Sequence, residues 1–274
     1  MESFLGWLQE AEFYILAAGF VVARMLGFII VLPLFSRLRL TGLLRNGVAI
    51  AFAIPLYPAL TEALRGVDFT VATFVILGLK EMLVGAALGL VLGVPFWAAE
   101  AAGDIVDLQR GSTMGSLIDP MMTHETSPTG TLFAITLIAL FLAAGGLEFM
   151  LTTVFDSYRL WPIESLLPVF SAESADVFLD LLTRVLTMAL VLSFPIVVGL
   201  LLSDVLLGFV AKAAPHMNVF AMSLVVKTLV FSLLLVIYAA FLISYMGQEM
   251  SFLRDASGLL ESLSCPNCRP GEVR

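Results

Sequence analysis

Asp104 and Asp107 lie three residues apart, and on a helix that spacing brings two carboxylates to one face. Such a pair can serve general acid–base chemistry. It belongs to a polar, Gly- and Pro-punctuated stretch from Glu100 to Thr131 that also carries Gln109, Arg110, Asp119, His124 and Glu125. The other parts of a catalytic site are missing. His124 and His216 have no neighbours at metal-ligand spacing, and the chain has no HExxH, GxSxG or P-loop signature. A polar helix end explains the two aspartates at less cost than catalysis does. Cys265 and Cys268, in the C-terminal CPNC, supply two ligands where a structural zinc needs four, and they lack the βαβ context of a redox pair. The chain therefore reads as a non-enzyme that uses no cofactor and no metal.

What must hold the polar stretch is a set of membrane-type helices. Of 274 residues, 60% are hydrophobic and 13% charged, against roughly 25% charged in soluble domains. The net charge of −8 lacks the basic footprint of a nucleic-acid binder. No basic segment precedes the first apolar run in MESFLGWLQEAEF, so insertion is expected to use that run itself rather than a cleavable signal. Apolar runs cover about 13–35, 69–99, 132–154, 177–210 and 219–245, with a shorter one at 47–60. An all-α integral membrane protein of about six hydrophobic helices follows, because a barrel would show short alternating segments. Residues 100–131 are then expected as a loop or re-entrant segment. Such backbone is tolerated at membrane depth only where protein buries it or water reaches it. The cluster Arg37, Arg39 and Arg45 argues for a cytoplasmic loop, which would put 100–131 and the 211–218 turn on the same side.

Charges inside the apolar runs are numerous: Arg24, Lys80, Glu81, Glu148, Arg184, Asp204 and Lys227. Each costs roughly 2.5–3.5 kcal/mol at a bilayer centre by insertion scales. Either they line a path or other subunits cover them. Lys80 and Glu81 are adjacent and do not share a helix face, so each is expected to find a separate partner, another subunit among the candidates. Gly19, Ala23 and Gly27, and then Gly85, Gly89 and Gly93, recur every fourth residue and predict close helix packing.

GDIVDLQRGSTMGSLIDPMMTHETSPTG resembles the central segment of the T component of type III secretion export gates, the FliR/SctT family. Asp107, Gln109, Arg110 and Gly111 are more similar to its virulence (injectisome) branch, the SctT, YscT, SpaR and HrcT proteins, than to the flagellar branch. Asp119-Pro120 and Ser127-Pro128 fall where that family has similar residues. A second match runs through Ala214-Pro215, Asn218-Val219-Phe220 and Lys227. The resemblance spans essentially the whole chain; CPNC is no part of it.

The resemblance implies a multi-pass subunit of a helical export gate in the bacterial inner membrane. One copy would join five R and four S subunits and other export-apparatus components, in contact with lipid, and pass unfolded secreted proteins. It implies an R-like part over 1–176, an S-like helical hairpin over 177–246 and a polar tail over 247–274. It also implies that the central loop, about 100–131, is a plug that helps close the pore. Gln109 and Arg110 would anchor its base to neighbouring carbonyls or carboxylates, and Gly111 and Gly115 would act as hinges. Asp119, Pro120 and Pro128 lie within it, and Met114, Met121 and Met122 would be soft apolar seals. Gly85, Gly89, Gly93, Pro215, Asn218, Phe220 and Lys227 are expected in subunit packing. The competing reading is a stand-alone secondary transporter or ion channel coupled through Asp104, Asp107 and Glu148. It would call for internal repeats, and the two halves show no convincing match.

Overall fold

Apolar runs of this length satisfy their backbone polar groups most simply as helices, and every regular element among the described residues is one. The computed structural model describes residues 2–38, 42–65, 70–111, 127–165, 174–214, 216 and 218–263 and, within these, all side chains except those of 2–9, 174–175, 219–221 and 249–263. In chain order the helices are α1 (Glu2–Val31), α2 (Pro33–Arg37), α3 (Gly42–Ala53), α4 (Tyr57–Leu64), α5 (Val71–Arg110), α6 (Pro128–Ala143), α7 (Gly146–Leu160), α8 (Ser174–Ala213) and α9 (Val219–Leu263). A 3₁₀ turn, Ile54–Leu56, joins α3 to α4, so the short run at 47–60 becomes a helical stretch over Gly42–Leu64. Among the described residues five such stretches are long and apolar enough to cross a membrane, or six if α6 and α7 together count as one.

The polar stretch 100–131 is not all loop. α5 continues to Arg110 and α6 begins at Pro128, because Ala102 and Val106 keep a buried face that carries the helix onward. The run 132–154 is not one straight span either. α6 ends at Ala143 and α7 begins at Gly146, with Gly145 between them at φ +77°, a left-handed backbone that costs glycine no Cβ clash. Glu148 stands exposed in the first turn of α7. A helix N-terminus favours that negative charge.

The chain divides into two compact units, one of Met1–Gly93, Gly145–Leu179 and Leu253–Arg274, the other of Val94–Ala144 and Asp180–Phe252. In the first, α1 packs on α3 and α4 and buries Phe20, Met25, Phe28, Ile29 and Leu32. It crosses α5 backbone to backbone. A Cβ on Gly27 would fall on the Met82 carbonyl, one on Gly85 on the Arg24 carbonyl, and one on Gly89 would come within 2.7 Å of the Phe28 carbonyl oxygen. The glycine face of α5 at Gly85 and Gly89, expected against a neighbouring subunit, is thus occupied inside the chain. Gly93 is buried as well.

The same crossing buries charge. Arg24 and Glu81 are fully enclosed and form a bidentate pair, Nε to Oε2 at 2.6 Å and Nη2 to Oε1 at 3.0 Å. Arg24 also donates to Ser157 Oγ at 3.0 Å and the Trp161 carbonyl at 2.8 Å, and it lies 3.6 Å from the centre of the Tyr158 ring. Lys80 pairs with Glu81 and donates to the Pro162 and Ile163 carbonyls at 2.8 and 3.3 Å. Lys80 and Glu81 therefore do meet, and their partners lie within this chain. The long lysine stem reaches round the helix where the Cβ directions alone would keep the pair apart.

In the second unit, α6 buries Phe133, Ala134, Leu137, Ile138 and Phe141, a three-and-four spacing that makes one face. Phe141 meets Phe96 of α5 edge to face at 5.4 Å. Within the α8–α9 hairpin, Gly199 sits under Leu234.

Gly85 and Gly19 offer a direct contrast, since a Cβ at Gly19 meets nothing within 4 Å. Gly85→Ala is expected to destabilise the protein by about 3 kcal/mol or more through backbone overpacking, whereas Gly19→Ala leaves it unchanged or slightly firmer. Thermal unfolding of the purified protein in detergent checks both.

Candidate functional site

The last turns of α5 and the first turn of α6 come together in the second unit, where a Cβ on Gly103 would strike the Gly130 backbone. That close approach puts Asp107, fully buried, against the start of α6. Its Oδ2 accepts from Ser127 Oγ at 2.6 Å and the Thr129 N–H at 2.9 Å, and its Oδ1 accepts from Thr129 Oγ1 at 2.7 Å. Arg110, one turn on, pairs with Oδ1 at 2.7 Å. A carboxylate offers about four lone-pair sites, and this one has four donors.

The start of α6 is fully satisfied by this arrangement. Ser127 is the extended N-cap, Pro128 stands at the first helical position without an N–H, and Ser127 Oγ accepts the Gly130 N–H at 2.9 Å. Asp107 takes the Thr129 N–H, and the Ser127 carbonyl takes that of Thr131. The negative charge also faces the positive end of the α6 dipole.

The end of α5 is closed differently. Gly111, at φ +82°, donates to the Asp107 and Leu108 carbonyls at 3.0 and 3.1 Å. Past that ladder, the Gln109 carbonyl accepts from Lys227 Nζ at 3.1 Å. Lys227 pairs with Asp204 Oδ1 at 2.8 Å, and Gln109 Nε2 donates to Asp204 Oδ2 at 3.3 Å. The Arg110 guanidinium lies 4.7 Å from the centre of the Phe231 ring.

Gln109 and Arg110 are therefore set against carboxylates at the base of the polar stretch, and Gly111 and Pro128 flank it. Met114, Gly115, Asp119, Pro120, Met121 and Met122 lie outside the described residues, as do Pro215, Cys265, Cys268 and the side chain of Phe220. The Asn218 carbonyl accepts the Met222 N–H at 3.2 Å as α9 begins. Asp107, Ser127, Thr129 and Asp204 carry the site, and sequence reasoning did not single them out as a group. The one signal was Ser127-Pro128-Thr129, a helix start placed directly after a polar stretch. With both oxygens of Asp107 engaged by Arg110, Ser127 and Thr129, this carboxylate ties the last turns of α5 to the start of α6.

A family profile described as bacterial export proteins, family 1, matches residues 15–253. The chain belongs to that family. It is 36% identical over 241 residues to Yop proteins translocation protein T of Yersinia pestis, covering 88% of this chain and 92% of that protein. It is 35% identical over 231 residues to surface presentation of antigens protein SpaR of Salmonella typhimurium, covering 84% and 85%. To flagellar biosynthetic protein FliR of Bacillus subtilis it is 28% identical over 219 residues, covering 79% and 83%. The chain is an injectisome-branch member of the FliR/SctT family.

Removing the Asp107 carboxylate would leave Arg110, Ser127 and Thr129 without their acceptor. Asp107→Ala is expected to cost about 3–5 kcal/mol, the range for breaking a buried pair on one side. Asp156→Ala, whose pair with Arg159 is exposed, is expected to cost less than about 1 kcal/mol. Denaturation midpoints of the two variants give the comparison.

Proposed function

We propose that this protein is the T subunit of a type III secretion export gate in a bacterial inner membrane, and that the segment between Gly111 and Ser127 helps to close its pore. The observation that carries the reading is the buried Asp107, which holds the end of α5 and the start of α6 in one fixed stem on either side of that segment. A stem of this kind lets the intervening chain move without unfolding the helices that present it. Family membership supplies the setting. The relatives' names speak of translocation, of surface presentation of antigens and of flagellar biosynthesis.

Helix length supports an assembly. α5 and α8 have 40 residues each and α9 has 45; at 1.5 Å per residue they run to about 60 Å or more, about twice a bilayer core. α8 and α9 also expose Leu186, Leu190, Phe194, Leu229, Leu233 and Val236. Partner subunits, in the expected ratio of five R and four S to one T, would cover such surface beyond the reach of lipid. On this reading 1–176 is the R-like part, 177–246 the S-like hairpin, and the cargo is unfolded secreted protein. The transporter reading gains nothing from the site, since Asp107 has no lone pair left for a coupling ion.

Replacing residues 112–126 by a short Gly/Ser linker, which leaves Asp107, Ser127 and Thr129 in place, is expected to raise the resting ion leak of the assembled gate in planar bilayers. Unchanged conductance in a complex of normal composition would overturn the closure role.

A further inference from the structure

Leu224, Lys227 and Phe231 are spaced three and four apart, so they share one face of α9. Each meets a different residue at the end of α5. A Cβ on Gly111 would lie 3.4 Å from Leu224 Cδ2, Lys227 holds the Gln109 carbonyl at 3.1 Å, and Phe231 lies beneath the Arg110 guanidinium. From α8, Asp204 closes the arrangement by taking Lys227 on one oxygen and Gln109 Nε2 on the other. Both helices of the hairpin thus reach the same turn of α5, within one compact unit.

The two sets of contacts at this turn differ in enclosure and in what they join. Asp107 is fully buried and has four donors, whereas the Asp204 side chain is 37% exposed and that of Lys227 14%. The contacts of Asp107 join α5 to α6 alone, whereas the Asp204–Lys227 pair joins the hairpin to α5, and an enclosed, fully donated carboxylate is costly to open.

We infer that Asp204 and Lys227 are positioning residues that couple the α8–α9 hairpin to the terminal turn of α5. With the pair closed, α9 fixes the Gln109 carbonyl and Arg110. A shift of the hairpin releases them, while the Asp107 stem stays intact. This rests on the closure reading above and adds the element that operates it: whatever moves the hairpin, whether a neighbouring subunit or passing cargo, acts through this pair.

The test uses the full co-assembled gate in planar bilayers, with the 112–126 replacement as reference. Lys227→Met and Asp204→Asn are each expected to raise the resting leak to a level between wild type and the reference, with subunit composition and melting midpoint unchanged. Lys227→Arg, which keeps the charge and the donors, is expected to conduct like wild type. If the reference leaks and both Lys227→Met and Asp204→Asn stay as tight as wild type, the coupling is wrong and the closure role stands. A leak in only one of the two also overturns the pair. If the reference itself does not leak, the closure role fails and the coupling with it.

Discussion

A carboxylate taken out of water must be surrounded by donors or it unfolds what encloses it. Asp107 obtains an arginine, two hydroxyls and a backbone N–H, drawn from α5, from the turn before α6 and from the first turn of α6. The other features of the second unit are consistent with that need. Gly103 and Gly130 permit the backbone approach that brings the donors within reach. Pro128 contributes no N–H to satisfy, and Ser127 both caps α6 and feeds Asp107.

The first unit obeys the same constraint with opposite charge at its centre. Arg24 is as enclosed as any described side chain, and its donors go to Glu81 on α5 and to Ser157 and Trp161 on and just after α7. Replacing such a cluster with well-packed apolar residues is often neutral or stabilising in other proteins. Its value here lies in specifying which helices meet, since apolar stripes alone would let α1, α5 and α7 slide past one another. In each unit, glycines set the distance between helices and charges set their register.

The helical, membrane-type fold was legible because long apolar runs have few alternatives in a bilayer. The family was legible because Asp107-x-Gln109-Arg110-Gly111 and the Asn218-to-Lys227 segment are specific in combination. The limits of the polar stretch were not. Residues 100–110 look polar as a string, yet Ala102 and Val106 keep a buried helical face. The bend at Gly145 hides within an unbroken apolar run, where a Gly-Gly pair signals packing as readily as a turn. Arg24's partners stand 57 and 133 residues away, so no local spacing could reveal them. Lys80 and Glu81 have the separate partners expected of them, the Pro162 and Ile163 carbonyls and Arg24, but expecting the two not to meet followed from Cβ directions and overlooked the lysine's reach.

The proposed gate subunit would present the segment between Gly111 and Ser127 to a protein in transit. Site-specific photo-crosslinking from Met121 in assembled gates carrying a stalled secretion substrate tests it most directly, with Ile135, exposed on α6, as the comparison site. An adduct with the substrate from position 121, and none from position 135, is the predicted result. A stalled substrate that crosslinks to neighbouring subunits and never to position 121 would contradict it.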